Sequence, residues 1–419
     1  MNITKKLMNF IDKSPTAYQA VDNIREILDK EGFKELSFKD SFKIEDDQGY
    51  YIENGGSEIL AFKGKENFQR IKMIGSHTDS PTFKLKPNSL INSDGFMRLN
   101  TEVYGGPILS TWFDRPLSLA GRVVVQSDDP FEPIVRNLVI DEDLLIIPNL
   151  AIHMNHDINS GYKYNLQKDL LPIIGLSEGK DIKIEAILGK YLDVDSKKIL
   201  DYDLYLYDRQ KATYSGLNRE FFSVGRIDNL GMVFLSLKSL IDSKIDRDLG
   251  LIACFDNEEV GSATSRGAGS TFFSDVLKKI CKDNEKDFLS TMDDSFLISA
   301  DQAHSLHPSY VDQADPVNRP LINQGPVIKY AANAAYTSDA HTASVIKAIC
   351  KENKIPYQEF TNRSDKRGGS TIGPITIANL NIKSVDLGNP ILAMHSIREL
   401  GGCKDNDYTY KLFKAFYGF

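Results

Sequence analysis

Two adjacent carboxylates, Glu258 and Glu259, follow an apolar run in the stretch LIACFDNEEVGS, which spans residues 251–262. An acidic pair after a strand is usually a solvated turn. On the pair alone this interpretation is favoured by about four to one, because short motifs often match by chance. The alternative is a metal site, in which one carboxylate binds the ion and its neighbour moves a proton. Other residues with the same chemistry decide between the two.

Metal-binding residue types recur where apolar, strand-like runs pass into polar loops. In open α/β sheets, ligands bind outside the carboxyl ends of the strands, so we expect these residues to share one edge. The segments are IKMIGSHTDSP with His77 and Asp79, LIACFDNEE with Glu258 and Glu259, FLISAD with Asp301, LAMHSIRE with His395, and VGRIDNLGM with Asp228 at the start of a helix. Each residue alone is more commonly a turn, cap or core residue. A chain with seven histidines would rarely collect the whole set by chance.

These residue types fit a site for two divalent ions. A histidine ligand needs its second ring nitrogen anchored, and Asp79, two residues after His77, can supply the anchor. Two nearby ions repel each other, so a carboxylate shared between them is needed, and Asp228 is the candidate. One imidazole and one further carboxylate for each ion leave room for water, as in catalytic zinc sites. None of the candidate ligands is a cysteine, which argues against a structural zinc site.

The acidic pair gains a role in such a site. Two unit charges ~4 Å apart repel by about 4 kcal/mol at an effective dielectric constant of ~20. Bound metal ions offset this repulsion. If Glu259 binds an ion, Glu258 is left to take a proton from water and deliver it to a leaving amine.

Composition excludes several other classes of protein. The chain of 419 residues has a net charge of -8 and no basic block, which argues against a nucleic-acid surface. No apolar run reaches the ~18 residues of a membrane span. The first residues, MNITKKLMNFIDKSPTAYQAV, lack the pattern of a signal peptide. The four cysteines are scattered without a CxxC motif, so we expect reduced thiols and a cytoplasmic protein.

Hydrophobic periodicity predicts the elements that position these residues. Ala17, Val21, Ile24 and Leu28 predict a helix, and the apolar residues from Leu230 to Ile241 predict a second. Short strands are predicted in SEILAFKG and IKMIGSH, and buried strands in LGLIACF, FLISAD, GPVIKY and IKSVDLGN. Between Asn88 and Ser223, alternating segments such as GRVVVQ, DIKIEAILG and DYDLYLYD predict an all-β region.

The predicted fold class is therefore α/β. A mixed sheet flanked by helices forms a catalytic domain from residues 1–87 and 224–419, and a β-rich domain of residues 88–223 is inserted into it.

The assembled residues resemble the aspartyl aminopeptidase family of co-catalytic zinc metallopeptidases, which includes the vacuolar aminopeptidases. The matching segments are GSHTDSP, TWFDRPLSLAGRV, IPNLAIHMN, VGRIDNL, FDNEEVGS, SADQAHSLHPSY, GPVIK, GSTIGP and LGNPILAMHSIRE. They run from about residue 75 to 399 in the order of the family, so the resemblance covers most of the chain.

The resemblance implies specific roles. His77 and Asp301 would hold one zinc ion, Glu259 and His395 the other, and Asp228 would bridge them. Glu258 would be the general base and Asp79 the partner of His77. The inserted domain would serve oligomerisation or act as a lid, since family members form tetrahedral dodecamers.

Two further residues match family positions that bind substrate. His153 would reach the active site of a neighbouring subunit, and Lys329 would lie near the pocket for the substrate side chain. The sequence alone favours an ordinary loop histidine and an ordinary strand-end lysine at these positions. His304 and His307 are expected to shape the loop after Asp301.

The predicted function is that of a metalloaminopeptidase that removes the N-terminal residue of peptides, with an acidic residue as the preference the family implies. The metal is expected to be zinc, with manganese or cobalt as alternatives. Lys366 and Arg367 in DKRGGSTIGP differ from the eukaryotic aspartyl enzymes, which leaves the preferred residue open. The alternatives are a deacylase or carboxypeptidase on the same metal layout, or a peptide-binding scaffold without catalysis.

Overall fold

The computed structural model describes residues 2–177, 182–366 and 368–419. The chain forms two compact units. The first unit comprises Met1–Asp79, Ala212–Met394 and Glu399–Phe419, and the second comprises Ser80–Lys211 and His395–Arg398.

Helices and strands both occur along the chain, as the hydrophobic periodicity predicted. The helices are α1 (Ile3–Asp12), α2 (Ala17–Lys30), α3 (Ile184–Leu192), α4 (Ile227–Asp242), α5 (Phe272–Asp283), α6 (Phe288–Asp294), α7 (Ala340–Glu352), α8 (Ile372–Leu380) and α9 (Cys403–Gly418). The strands are β1 (Lys34–Glu35), β2 (Gly49–Asn54), β3 (Glu58–Gly64), β4 (Ile71–His77), β5 (Thr82–Ser93), β6 (Phe96–Tyr104), β7 (Leu117–Val125), β8 (Ile134–Val139), β9 (Ile173–Leu176), β10 (Ile199–Asp208), β11 (Thr213–Ser215), β12 (Phe221–Val224), β13 (Leu249–Phe255), β14 (Phe296–Ala300), β15 (Ala303–His304), β16 (Val327–Tyr330), β17 (Gln358–Thr361), β18 (Lys383–Gly388), β19 (Pro390–Leu392) and β20 (Glu399–Gly402).

A nine-stranded mixed sheet forms the centre of the first unit, in the order β1-β2-β3-β13-β4-β14-β18-β16-β17. Strands β13, β4, β14 and β18 run parallel to their neighbours within this group, whereas β3 and β16 pair antiparallel at its two sides. The predicted α/β class is thus confirmed. The parallel strands place their carboxyl ends along a single edge.

Helices cover both faces of this sheet, which explains its continuous apolar strands. Every residue of β4, β13 and β14 is buried. Alternate residues of β13 belong to different cores: Ile252 and Cys254 pack into one cluster with α4 and α9, while Leu251 and Ala253 pack into another with α5.

Both helices predicted from the periodicity are present, whereas several other helices were not predicted. The helix over Ala17–Leu28 is α2, and the apolar face from Leu230 to Ile241 belongs to α4, whose residues are nearly all buried. The preceding helix α1 was not predicted. Within the residues that the structure describes, no helix is both long and apolar enough to cross a membrane.

The second unit contains a six-stranded antiparallel sheet in the order β8-β7-β10-β5-β6-β9. The prediction of a strand in DIKIEAILG was wrong, because this segment leads into α3. Ile184 and Leu188 are four residues apart and are both buried in the core of this unit. The run from Ile182 to Ile187 satisfies strand and helix periods alike, and packing selected the helix.

The observed limits of the second unit differ from the predicted interval 88–223. The unit begins at Ser80, because β5 starts at Thr82. Its long segment ends at Lys211, because the next strand, β11, pairs with β12, and β12 pairs with β20 in a five-stranded sheet of the first unit. The alternating apolar and polar residues near residue 220 therefore belong to the first unit.

Gly388 keeps β18 close to the start of the loop after β14. A Cβ atom added at Gly388 would lie 1.8 Å from the carbonyl oxygen of Asp301. We expect Gly388→Ala to lower the free energy of unfolding by about 1–3 kcal/mol, the usual cost of overpacking. Denaturant unfolding measures this change. The matched control is Gly369→Ala, where an added Cβ meets no atom within 4 Å. Equal stability of the two variants would contradict the proposed steric constraint.

Candidate metal centre

Three neighbouring parallel strands deliver the predicted residues to one edge of the sheet. Strand β4 lies between β13 and β14, and Phe255 at the end of β13 is in register with His77 at the end of β4. Asp301 follows the last residue of β14 directly. The residues after these strands therefore lie at neighbouring positions, as the sequence pattern predicted.

His77 is at the centre of the cluster and is almost completely buried. Its Nε2 atom lies 3.3 Å from Asp228 Oδ1 and 3.6 Å from Asp301 Oδ1. Ligand atoms of His77, Asp228 and Glu259 all lie within 4.8 Å of one another. The structure thus brings four of the five predicted ligands to one place.

Asp79 fixes both the imidazole and the acidic turn. His77 Nδ1 lies 3.1 Å from the main-chain oxygen of Asp79 and 3.3 Å from its Oδ1. The two carboxylate oxygens of Asp79 accept hydrogen bonds from the backbone N–H groups of Glu258 and Glu259, at 3.2 and 3.1 Å. Because Nδ1 donates to Asp79, Nε2 is the ring nitrogen that faces the acidic side chains.

Asp228 is held by the irregular start of α4. Arg226 precedes this helix in the left-handed region and makes no side-chain cap, and Asp228 itself has extended backbone angles. The Asp228 backbone N–H donates to Glu399 Oε2 at 3.1 Å, and Asn229 Nδ2 donates to the main-chain oxygen of Ala300 at 2.8 Å. These bonds tie the helix start to the end of β14. The buried Glu399 was not singled out from the sequence, although it lies in the quoted segment LAMHSIRE.

A tight turn returns the acidic pair to the sheet edge. Asn257 adopts a left-handed conformation with φ 60°, and Glu258–Val260 form one turn of 3-10 helix. Asp256, the first acid of the opening stretch, does not join the cluster. Its carboxylate accepts hydrogen bonds from Ser57 Oγ at 2.7 Å and from the Asn257 backbone N–H at 2.7 Å. Asp256 therefore stabilises the turn.

The electrostatics of the cluster favour a bound cation. Burial raises the pKa of Glu258 to about 7, and the nearby carboxylates of Asp301 and Asp79 add to this effect, while His77 opposes it. Burial by itself would lower the pKa of His77, but Asp228, Asp301 and Asp79 raise the pKa well above its ordinary value. Both shifts express an excess of negative charge away from water.

The residues present fit zinc. The buried Oδ1 of Asp301 accepts no hydrogen bond from any residue in the described ranges. An imidazole nitrogen and carboxylate oxygens converge without a cysteine, which is the nitrogen and oxygen donor set of catalytic zinc sites.

The remaining predicted residues are Lys329, His153 and His395. Lys329 is buried, donates from Nζ to the main-chain oxygen of Gln302 at 3.0 Å and lies 3.5 Å from Asp301 Oδ2. His153 is exposed in a short 3-10 turn of the second unit. His395 begins the segment His395–Arg398 of the second unit, with its Nδ1 3.0 Å from the main-chain oxygen of Gly106. The substrate roles and the place of His395 among the ligands stay predictions. Arg367 lies outside the described residues.

The fold and this cluster together indicate a metal-dependent enzyme of the α/β class. A family model described as Aminopeptidase I zinc metalloprotease (M18) matches residues 10–417. The chain belongs to this family and is a metalloaminopeptidase. This membership favours the aminopeptidase over the deacylase, carboxypeptidase and scaffold alternatives.

Individual proteins support the same assignment. A protein of Clostridium novyi (strain NT), named probable M18 family aminopeptidase 2, is 48% identical over 427 residues, which cover 100% of this chain and 99% of that protein. The solved structure of the Ape4 and Nbr1 complex contains a chain that is 37% identical with a TM-score of 0.95, covering 99% of this chain and 85% of that one. The S. cerevisiae mApe1 dodecamer is 26% identical with a TM-score of 0.86, covering 99% of this chain and 96% of that one.

The contacts of Asp79 predict a large effect on metal affinity. Asp79→Asn removes an acceptor from the Glu258 and Glu259 backbone N–H groups and alters the partner of His77. We expect zinc affinity to fall by about 10–100-fold, as for other residues that orient metal ligands. Competition with a fluorescent chelator measures the affinity. Asp294→Asn, at the exposed end of α6, is the control and should bind zinc as the wild type does. An unchanged affinity in Asp79→Asn would show that this residue does not orient the ligands.

Proposed function

We propose that the cluster binds two divalent ions and that the chain uses them to hydrolyse the N-terminal residue from peptides. The observation that carries this proposal is the convergence of His77, Asp228 and Glu259, whose ligand atoms lie within 4.8 Å of one another. Asp301 adds a further carboxylate beside His77. Such a donor set at the edge of a parallel sheet suits a catalytic metal centre.

The two ions are assigned on the basis of these contacts and of the family resemblance. His77 and Asp301 hold the first ion, since Asp301 Oδ1 lies 3.6 Å from His77 Nε2. Asp228 bridges the ions, because it is the shared neighbour of His77 and Glu259. Glu259 and His395 hold the second ion. Zinc is the metal we favour, and manganese or cobalt would suit the same carboxylate-rich ligands.

Glu258 transfers the proton. Bound zinc supplies a Lewis acid that activates water and polarises the scissile carbonyl. The Glu258 backbone N–H donates to Asp79 and the residue is half-buried. Burial and the charges of His77 and Asp301 shift the pKa of its carboxylate, which is therefore close to the cluster without being needed as a ligand. Nearby cationic charge favours its carboxylate form, and Glu258 therefore begins as a base. It then delivers the same proton to the leaving amine.

The finer proposal for the substrate is a peptide with a free N-terminal amine and an acidic N-terminal residue. His153 and Lys329 are the proposed substrate-binding residues, and both rest on the family resemblance. The buried ammonium of Lys329 supplies positive charge beside Asp301. A panel of aminoacyl reporter substrates, assayed with added zinc, manganese and cobalt, tests the preferred residue and the metal together.

We also propose a homo-oligomer, with a tetrahedral dodecamer as its expected form. The S. cerevisiae relative mApe1 is described as a dodecamer, and the antiparallel second unit is the candidate for oligomerisation or for a lid. An enclosed assembly would restrict access to short or unfolded peptides, so cleavage of a folded protein by the intact particle would count against it. The four free thiols are consistent with the proposed cytoplasmic location.

Glu258→Gln separates proton transfer from metal binding. Loss of the base should lower kcat by about 10²–10⁴-fold, since glutamine cannot accept the proton. The metal content should stay at the wild-type value, because Glu258 is not a proposed ligand. Kinetic assays and elemental analysis of the same sample measure both quantities.

The matched control is Glu352→Gln, at the exposed end of α7, which should keep full activity. Full activity in Glu258→Gln would assign the proton transfer to another residue. Loss of metal from this variant would make Glu258 a ligand rather than a base.

A further inference from the structure

A pocket of about 220 Å³ lies beyond the strand end that carries Asp301. One wall is the loop from His304 to Pro320, and the other is the segment from Phe360 to Lys366 that begins in β17. All of these residues belong to the first unit. None of them is used by the proposed metal centre.

The lining of the pocket carries more cationic than acidic side chains. Among its lining residues Arg319, Arg363 and Lys366 are cationic, and Asp315 is the single carboxylate. Asp315 Oδ1 is directed at its own turn, since it accepts hydrogen bonds from the backbone N–H groups of Val317 at 3.0 Å and Asn318 at 2.7 Å. These backbone hydrogen bonds, together with the nearby charge of Arg319, lower the pKa of Asp315.

Two of the three cations keep donors for a ligand. Arg363 is occupied by an ion pair from Nε to Asp365 Oδ1 at 2.6 Å. Arg319 donates through Nε to the main-chain oxygen of Asp315 at 2.8 Å, and within the described residues its two Nη groups have no hydrogen-bond or ion-pair partner. Lys366 is exposed and likewise makes no ion pair within the described residues. A guanidinium with two open Nη groups matches the geometry of a carboxylate.

Aromatic rings complete the pocket and suit a peptide rather than a small inorganic anion. The ring of Phe360 packs against His304 with 6.0 Å between centroids, and His307 packs against Tyr310 at 4.8 Å. His307 Nδ1 accepts a hydrogen bond from the Ser309 backbone N–H at 3.2 Å, so the neutral ring carries its hydrogen on Nε2. The pocket thus combines apolar surface with several hydrogen-bond donors.

The pocket is within reach of a peptide bound at the metal centre. His304 follows Asp301 by three residues, which limits their Cα separation to about 11 Å even in a fully extended chain. An extended peptide advances by about 3.3 Å for each residue, so its third to fifth residues would reach the pocket.

We propose that this carboxylate pocket binds a carboxylate of the peptide substrate downstream of the bond that is cut, through Arg319 and Lys366. The carboxylate is either an acidic side chain or the C-terminal group. This inference rests on the proposed function and adds to it a preference for short acidic peptides.

The test compares pentapeptides with a constant N-terminal residue and with Glu or Gln at position three, four or five, each with a free or an amidated C-terminus. For the carboxylate that the pocket binds, we expect KM to be about five-fold lower than for the matching Gln or amidated peptide, the effect of one exposed ion pair. The value of kcat should not change. A difference between the Glu and Gln peptides shows that the pocket binds a side-chain carboxylate. A difference between the free and the amidated peptides shows that it binds the C-terminal carboxylate. Added salt at ~0.5 M should reduce the difference.

Arg319→Gln and Lys366→Gln should each reduce the difference in KM, and the double variant should abolish it. Lys6→Gln, an exposed lysine on α1 outside the pocket, is the matched control and should keep the difference. Equal KM values for all wild-type pairs, or a difference that survives in the double variant, would overturn the inference.

Two measurements distinguish binding of a substrate carboxylate from loss of the proposed function and from a change of oligomer. Cleavage of a neutral dipeptide should be the same in wild type and variants, and absence of this cleavage from the wild type would contradict the proposed function instead. Light scattering reports the oligomer. A changed particle mass in the double variant would make the pocket a contact between copies of the chain and would overturn the substrate assignment.

Discussion

The structure depends on confining several carboxylates beside one imidazole at the end of a sheet. Asp79, Asp228 and Asp301 are buried around His77, and each is close enough for its charge to raise the pKa of that ring. Like charges in such a place repel each other, and burial removes the water that would screen them. A bound cation is the direct way to compensate them, so the demand for metal follows from the fold itself.

The fold meets this constraint with short connections. Strands β13, β4 and β14 pair in parallel, so their carboxyl ends lie side by side. This pairing sets the positions of His77, the acidic turn and Asp301. Asp79 then joins the end of β4 to the backbone of the turn. Asn229 and Gln302 join α4 to the end of β14, through bonds to Ala300 and Ile227. These bonds and the rigid elements on which they lie orient the side chains that would hold the ions.

Much of this arrangement could be predicted from the sequence, because strand ends and metal-binding residue types coincide. The apolar runs that become β4, β13 and β14 were each followed by a candidate ligand. The prediction failed where local patterns were degenerate, as in α3, or where tertiary contacts decide the environment of a side chain. The burial of Lys329 against Asp301 and the bond from Asp228 to Glu399 join residues far apart in sequence, so no local pattern could reveal them.

The central claim is that Asp228 is shared by two ions. A crystal structure of the zinc-loaded protein with anomalous diffraction at the zinc edge tests it most directly. We expect two anomalous peaks about 3.5–4 Å apart, the spacing of two-metal sites, with a carboxylate oxygen of Asp228 coordinated to each. A single peak, or two peaks of which only one is bound by Asp228, would contradict the account.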